Sequence, residues 1–236
     1  MNKDESIVRP KPISGFKKKK VVYLPIDSPS GSLKRAVQRE SSRKHKDPTG
    51  ELYLLPDRVV VMEAMGAPNA VLVLERLIAG GAEEIMILGY CGSLNPRARL
   101  MDALFVTEAY SDEGTSRHYS PENTCFHPSS NLSDEVERGL QKAGLAYLCG
   151  AVVSTDAPYR ETTTWLEANL HRGVDVVDME TSAIFALSEN RGVQAASLLL
   201  VSDELRRDGH VKGYLHPKLE ERLAEYFHPF LLPGNK

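Results

Sequence analysis

Residues 58–88 read "RVVVMEAMGAPNAVLVLERLIAGGAEEIMIL" and decide the fold. The β-branched run at 58–64 predicts a buried strand, and a Gly/Pro turn follows it. After that turn, apolar residues recur at helical spacing until Gly80 and Gly81 end the pattern. The run "EIMIL" (84–88) predicts the next strand. A strand, a helix and a second strand in this order predict an α/β fold.

The same alternation of strands and helices extends along the chain. Further strands are predicted at 21–25, 103–109, 151–155, 174–177 and 195–201. Helices are predicted at 133–144, 163–173, 181–192 and 217–231. Because the strand runs are apolar on both faces, they favour a largely parallel sheet that is covered by helices on both sides.

The length and composition favour a single soluble domain. A chain of 236 residues suits one core, which we expect at 21–236, preceded by a basic arm at 1–20. No apolar run approaches the roughly 20 residues of a membrane helix, and the charged start is unlike a signal peptide, so we expect no membrane contact and a cytoplasmic protein. The three cysteines are widely spaced, which predicts neither a disulfide framework nor a metal site.

The net charge of −3 hides a basic N-terminal fifth. Residues 1–50 contain 13 Lys and Arg against 5 Asp and Glu, concentrated at 16–20 and 34–46. Such runs commonly form a solvated, partly mobile arm, although they could also attract phosphate, nucleic acid or an acidic face of a neighbouring subunit. Aromatic residues are not interleaved with the charges, which disfavours nucleic acid as a partner.

Glycines and polar residues follow the predicted strands repeatedly. Five such segments are "MGAP" (65–68), "GYCGS" (89–93), "TDAPY" (155–159), "DME" (178–180) and "SDEL" (202–205). In open α/β sheets, ligands bind outside the carboxyl ends of the strands. The five segments therefore predict one composite pocket, although Gly89 to Gly92 alone could be a tight turn.

Three carboxyl groups lie at these predicted strand ends. Asp178 and Glu180 are two residues apart and would share one side of an extended segment, or they could complement a helix N-terminus. A carboxylate in a dry site can hold the two adjacent hydroxyls of a ribose. Asp203 could be a helix cap or turn former, but a protonated carboxyl there could act as general acid toward a leaving nitrogen. Together these are the needs of N-glycosidic bond cleavage.

Five segments together resemble the nucleoside phosphorylase family, which contains hexameric purine nucleoside phosphorylases, uridine phosphorylases and related nucleosidases. They are, in order and spacing, residues 63–94, 107–119, 154–159, 176–192 and 198–205. The resemblance implies a three-layer α/β/α sandwich around a central mixed, partly barrel-like sheet. It also implies a homo-oligomer, built from dimers that can form a hexamer.

The resemblance assigns the ribose end of the pocket to four residues. It makes Glu180 the ligand of the 2′- and 3′-hydroxyls, with Met179 and Met65 against the sugar. His118 is a candidate for the same end. Asp178 stands where the family commonly has glutamate, so its reach is one methylene shorter.

The base end follows from the same resemblance. Asp203, supported by Ser202, would protonate or hydrogen-bond the base. Cys91, Gly92 and Tyr159 would frame it, although tyrosine and methionine at such positions are ordinarily core residues. A carboxyl at Asp203 favours a purine, because N7 of a purine can accept its proton.

The phosphate site departs from the family pattern. The family builds it from a Gly-Asp-Pro-x-Arg turn, an Arg-x-Gly-Ser/Thr turn and an arginine of the neighbouring subunit. Here Ile26 stands where glycine is expected, Ile87 where arginine is expected and Tyr90 where Ser or Thr is expected. The residues that could rebuild a phosphate site are basic and lie in the N-terminal fifth: Lys34, Arg35, Arg43 and Lys44.

We therefore expect phosphorolysis of a purine, or uridine-type, nucleoside to free base and ribose 1-phosphate. Inorganic phosphate would be the co-substrate, and no metal or organic cofactor is implied. Two alternatives stay open at this point. In the first, water replaces phosphate as the nucleophile and the protein is a nucleosidase. In the second, the fold survives as a catalytically silent nucleoside-binding homologue.

Overall fold

The computed structural model describes residues 6–232, with the exception of the side chain of Asp47. Its strands are β1 (Lys20–Leu24), β2 (Arg43–Asp47), β3 (Gly50–Leu54), β4 (Arg58–Met62), β5 (Glu84–Ser93), β6 (Ala103–Asp112), β7 (Cys125–Phe126), β8 (Leu148–Thr155), β9 (Val174–Asp178), β10 (Gln194–Arg206) and β11 (Gly209–Lys212). Its α-helices are α1 (Ser32–Glu40), α2 (Ala67–Ala79), α3 (Ser130–Lys142), α4 (Thr163–His171), α5 (Thr181–Arg191) and α6 (Pro217–Leu231). Two short 3₁₀ helices lie at Ser116–His118 and Pro158–Arg160.

The strands form one mixed sheet in the order β11-β10-β6-β8-β9-β5-β1-β4-β3-β2, with β7 on β6. A further pairing joins β10 to β5, so that β5, β10, β6, β8 and β9 form a closed path. The strands β1, β4, β5 and β10 pair in parallel, whereas β2–β3–β4 and β10–β11 are antiparallel hairpins. The prediction of a largely parallel sheet, which rested on the alternation of strands and helices, is therefore wrong. The mixed sheet that the resemblance implies is confirmed.

Helices cover both faces of this sheet. In β1, Val21 and Tyr23 belong to a core cluster with α2 and α5. Val22 and Leu24 point the other way, into a cluster with α1, α3 and α6. Successive side chains of a strand point to opposite faces, so this alternation places the central sheet between two helical layers. The predicted α/β/α architecture is confirmed.

The basic N-terminal fifth is largely folded onto the domain. Ile13 and Phe16 are buried in the core cluster that contains α2, and the Arg43 guanidinium lies 5.7 Å from the centre of the Phe16 ring. The basic run at 34–46 forms α1 and β2 instead of a mobile arm. α1 forms because one face of this helix is apolar and packs into the core. Leu33, Ala36 and Val37 lie on that face and are buried. Residues 1–5 of the expected arm lie outside the described residues.

Two strands extend past their predicted ends. β5 continues through "GYCGS", and β10 continues through "SDELR" with a bulge between Val201 and Asp203. Gly92 is a strand residue and not part of a tight turn. A Cβ at Gly92 would lie 2.7 Å from Leu205 Cδ1 and 3.2 Å from Asp203 Oδ2. Glycine therefore permits β10 to bring the carboxylate of Asp203 against β5.

Candidate active site

A cavity of about 470 Å³ opens where β1, β5, β9 and β10 end or bulge. Segments around Tyr159 and the β10–β11 hairpin complete its walls. The sequence-predicted residues that line it are Met65, Cys91, Gly92, Tyr159, Asp178, Met179, Glu180, Ser202 and Asp203. The fold thus brings together the strand-end segments that the sequence analysis singled out.

Asp178 is anchored at the N-terminus of α5. Its carboxylate accepts hydrogen bonds from the Ser154 hydroxyl at 2.5 Å, from the Thr181 hydroxyl, and from the backbone N–H of Thr181 at 3.1 Å. Burial raises the pKa of Asp178, and these hydrogen bonds oppose that rise. Through these hydrogen bonds Asp178 fixes the N-terminus of α5.

Glu180 accepts its hydrogen bond from a different part of the fold, although it is only two residues from Asp178. Its Oε1 accepts a hydrogen bond of 2.6 Å from the backbone N–H of Gly66, which precedes α2. Gly66 has φ of 92°, a conformation that favours glycine. Burial, followed by the nearby charge of Asp178, raises the pKa of Glu180. Glu180 therefore retains its proton more readily than an exposed glutamate.

The two acids do not share one side of an extended segment, as their spacing suggested. Asp178 ends β9, whereas Glu180 has φ −143° and ψ −31° and directly precedes α5. This change of backbone conformation turns Asp178 toward α5 and Glu180 toward α2. The alternative interpretation, complementarity to a helix N-terminus, fits Asp178.

Asp203 is the centre of a third group of hydrogen bonds. Its Oδ1 accepts hydrogen bonds of 2.8 Å from the hydroxyls of Ser202 and Tyr214. Its Oδ2 lies 2.7 Å from Nε2 of His210. The Asp203 side chain is 7% exposed, so these contacts satisfy a group that is largely removed from water. Asp203 and its partners therefore form a preorganised polar cluster at the cavity wall.

His210 and Tyr214 are the site residues that the sequence analysis missed. The hairpin β10–β11 places His210 opposite Leu205 and Lys212 opposite Asp203, so His210 and Asp203 are diagonal neighbours on one face. Asp208-Gly209 is a common hairpin signal, and it marks the place of this hairpin. The observed turn is Arg207-Asp208, with Gly209 already in β11, so the dipeptide could have predicted a hairpin here but not the register that brings His210 to Asp203.

Glu161 is a further carboxyl group of the cavity lining. Burial and then the negative charge of Asp203 raise the pKa of Glu161 to about 7. A raised pKa of this kind is common where acids are gathered for function, although structural acids also show it. Glu161 is thus an acid that exchanges its proton near neutral pH, close to Asp203.

The four basic residues predicted for phosphate do not line the cavity of this chain. Lys34 pairs with Glu63 and lies 2.9 Å from Glu51, and Lys44 lies 3.0 Å from the same Glu51. The Arg35 guanidinium donates a hydrogen bond to the carbonyl oxygen of Ser30. Arg43 stacks on the Phe16 ring, as described above. The charges of Lys34 and Lys44 are therefore offset by carboxylates within the same protomer.

Apolar and aromatic groups occupy the cavity wall next to β1. Pro25, Ile26 and Tyr90 line it, and the Tyr90 hydroxyl donates a hydrogen bond of 3.0 Å to the carbonyl oxygen of Asp27. Ile87 is buried in the core and does not face the cavity. His118 is exposed on a short 3₁₀ helix and does not line the cavity either.

The part of the chain that the structure describes also bears on metal ligands, membrane-spanning helices and cysteine pairing. Within residues 6–232, no group of three or more His, Cys, Asp or Glu side chains is arranged to hold a metal ion. The helices of the same part of the chain are too short or too polar to cross a membrane. The three cysteines are unpaired, and burial raises the pKa of the Cys91 thiol in the cavity wall.

The family model described as "Phosphorylase superfamily" matches residues 31–225, which include the elements that build the cavity except β1 and the segment directly after it. The chain belongs to the phosphorylase superfamily. This superfamily comprises nucleoside phosphorylases and nucleosidases, which are enzymes. The resemblance that the strand-end segments carry is therefore confirmed.

Within the superfamily, the chain is similar to two types of relative. It is 28% identical to guanosine phosphorylase of Halorubrum lacusprofundi over 161 residues, which are 66% of this chain and 65% of the relative. It is 30% identical to a DeoD-type purine nucleoside phosphorylase of Bacillus cereus over 145 residues, which are 60% of this chain and 61% of the relative. The aligned region thus spans less than two thirds of the length of either relative.

Two solved structures of the superfamily share the fold. Purine nucleoside phosphorylase of Toxoplasma gondii in complex with immucillin-H superimposes with a TM-score of 0.75 at 19% identity, covering 91% of this chain and 90% of that chain. AMP nucleosidase of Bacteroides thetaiotaomicron superimposes with a TM-score of 0.72 at 20% identity, covering 90% and 87%. At these identities the similarity concerns the fold alone.

Proposed function

We propose that this protein cleaves the N-glycosidic bond of a purine nucleoside and releases the free base. The observation that carries the proposal is the presence of two separately organised acids in one cavity. Glu180 is held by the N-terminus of α2 and lies beside Asp178, whereas Asp203 is held by Ser202, His210 and Tyr214. Two acids in different environments can take two different roles in one reaction.

Glu180 is proposed to bind the ribose. Its carboxyl group can hydrogen-bond the adjacent 2′- and 3′-hydroxyls, while Met65 and Met179 contact the sugar from the cavity wall. Binding the diol favours the ionised form of Glu180, because two hydroxyl donors stabilise the charge. The sugar is then fixed while positive charge develops on it as the bond breaks.

Asp203 is proposed to act on the base. When the bond between C1′ and the base nitrogen breaks, its electron pair stays on the base, which must be neutralised. A proton delivered from Asp203 to N7 of a purine neutralises the leaving group. Cys91, Gly92 and Tyr159 line the same cavity and are proposed to frame the base.

The charge distribution of the cavity favours water as the nucleophile, so the reaction that it supports best is hydrolysis. The wall next to β1 is made of Pro25, Ile26 and Tyr90, and the nearby lysine Lys34 is paired with Glu51 and Glu63. Phosphate binding ordinarily relies on charge-assisted hydrogen bonds of about 1.5–3 kcal/mol each. An apolar wall supplies none of them.

Phosphorolysis is the second candidate, and the basic edge strand β2 is the observation that favours it. Arg43 and Lys44 lie on this strand, at one end of the sheet order. In a homo-oligomer, from dimer to hexamer, an edge strand of one protomer could bring these cations to the cavity of its neighbour. The relatives named guanosine phosphorylase and purine nucleoside phosphorylase also support this candidate.

Chromatography of free base from a panel of purine and pyrimidine nucleosides, with and without inorganic phosphate, tests the proposal. We expect base and free ribose from a purine nucleoside in phosphate-free buffer. Release that requires phosphate and yields ribose 1-phosphate would establish the second candidate. Nucleoside binding without any release of base would identify a catalytically silent homologue and contradict both.

A further inference from the structure

The contacts of Asp203 raise the question of where the transferred proton originates, if the proposed function holds. All three side-chain partners of this carboxylate can donate hydrogen bonds: the Ser202 and Tyr214 hydroxyls to Oδ1, and the His210 imidazole to Oδ2. Hydrogen bonds that are donated to a carboxylate stabilise its charged form. After Asp203 has given its proton to the base, a neighbouring group must resupply it before the next turnover.

The two hydroxyl groups are poor sources of that proton. A serine hydroxyl does not ionise in the physiological range. Burial, followed by the negative charge of Asp203, raises the pKa of Tyr214 above the ordinary value of tyrosine. Both hydroxyls therefore position the carboxylate but retain their protons.

His210 differs from them in chemistry and in access to water. Histidine is the side chain whose charge ordinarily changes near neutral pH. Its Nε2 lies 2.7 Å from Asp203 Oδ2, which is within direct proton-transfer distance. The His210 side chain is 43% exposed, so water can return a proton to it after each turnover.

We propose that His210 supplies the proton that leaves with the base, and that Asp203 passes it on. The His210 imidazolium gives its Nε2 proton to Oδ2 of Asp203, and the Asp203 carboxyl group gives a proton to N7 of the purine. The electron pair of the broken bond to C1′ stays on the base, which departs neutral. The attacking water forms the new bond to C1′ and releases one proton to the solvent. His210 is left as a neutral imidazole and regains a proton from water. In this scheme Asp203 touches the base, and His210 acts through it as a positioning and proton-supplying residue.

Other charged groups surround the pair formed by His210 and Asp203. Glu161 lies close enough to Asp203 for their charges to interact, and Lys212 stands opposite Asp203 in the hairpin. Arg206 lines the cavity but is 3.0 Å from Glu204, and it also donates to the carbonyl oxygen of Ser93. Glu161 is the competing proton source, so the experiment must separate it from His210.

Two substrates distinguish proton supply from support of the structure. An ordinary purine nucleoside needs a proton at N7 before its base can leave. In 7-methylguanosine N7 is already alkylated and the base is cationic, so it leaves without that proton. Steady-state cleavage of guanosine and 7-methylguanosine would be measured across pH for the wild-type chain, His210→Gln and His127→Gln. Glutamine preserves a donor toward Asp203 but cannot titrate, and His127 is an exposed histidine outside the cavity lining.

We expect His210→Gln to lower kcat on guanosine about 100-fold and to remove the loss of activity at alkaline pH, while 7-methylguanosine is cleaved within about threefold of the wild-type rate. His127→Gln should match the wild type on both substrates. Equal losses on the two substrates, or full activity on guanosine, would overturn the role of His210. Disappearance of the alkaline limb in Glu161→Gln, but not in His210→Gln, would assign proton supply to Glu161 and overturn it as well. A wild-type chain that cleaves neither substrate would instead overturn the proposed function.

Discussion

Glu180 and Asp203 are buried acids of one cavity, yet the fold holds them by different means. Glu180 accepts a hydrogen bond from the backbone at the N-terminus of α2 and lies beside another buried acid. Asp203 accepts hydrogen bonds from side chains, two of which come from a hairpin and the segment after it. The neighbours of a carboxyl group, more than whether it belongs to Asp or Glu, therefore decide whether it binds a polar ligand or moves a proton.

Replacement of Asp203 should have the largest effect, because it removes the proposed proton donor at the base end of the cavity. We expect Asp203→Asn to lower kcat on a purine nucleoside by about 100-fold or more with little change in KM, because an amide cannot deliver a proton. Steady-state kinetics measures this. Asp208→Asn, an exposed change in the turn of the same hairpin, is the matched control. Equal kcat values for Asp203→Asn and the wild type would remove Asp203 from the mechanism.

Replacement of Asp178 should change the surroundings of Glu180 at the ribose end of the cavity. Asp178→Asn removes a carboxyl oxygen that accepts hydrogen bonds at the N-terminus of α5, so the free energy of unfolding should fall by about 1–2 kcal/mol. It also removes one cause of the raised pKa of Glu180, which should therefore move down while burial keeps it above the ordinary value. Denaturant unfolding and a pH titration of nucleoside binding measure the two effects. Asp134→Asn, an exposed change on α3, should alter neither; an unchanged pKa of Glu180 in Asp178→Asn would contradict the proposed coupling.

The pH dependence of stability offers a smaller effect that involves both ends. Glu180 and Glu161 have raised pKa values in the folded protein, so the unfolded chain loses these protons first as the pH rises. Each acid should therefore lower stability with rising pH, from its ordinary value near 4.5 to its folded pKa, by at most about 1.4 kcal/mol per pH unit.

For Glu161 the window ends at about pH 7, and solvent screening of this partly exposed group makes its share smaller. Denaturant unfolding of the wild type and of Glu161→Gln/Glu180→Gln, measured between pH 5 and 7, should show a flatter dependence in the variant. Glu189→Gln, an exposed change on α5, is the control. Identical pH dependences in the wild type and the double variant would show that neither pKa is raised.

Secondary structure could be predicted from the sequence where the signal lies within one short segment. The apolar periodicity of α2 and the bounds of α6 could be predicted, because helix punctuation and burial act along a short segment. The charged strand β2 could not, since "RKHKD" has no apolar alternation and is held by its pairing with β3. The strand end of β5 was also missed, because glycines that resemble turn formers permit close approach inside the sheet. The end of β10 was missed because its polar residues continue the strand beyond a bulge.

The candidate site shows the same limit. Its location at the strand ends and its acids could be predicted from the sequence and the resemblance. The separate orientations of Asp178 and Glu180 depend on a backbone change between β9 and α5. The contact between His210 and Asp203 depends on the register of a hairpin. Both are set by tertiary pairing, to which spacing along the chain is a poor guide.

Calorimetric titration of inosine and 2′,3′-dideoxyinosine tests the division of roles most directly. The titrations would use Asp203→Asn, in which the nucleoside should persist, and the same variant with Glu180→Ala added. We predict that Asp203→Asn binds inosine about 100-fold more tightly than the dideoxy analogue, because two hydrogen bonds to a buried carboxylate are lost with the hydroxyls. In the Glu180→Ala background the two ligands should bind alike. A preference for inosine that survives the loss of Glu180 would contradict the account, because another group would then be holding the ribose.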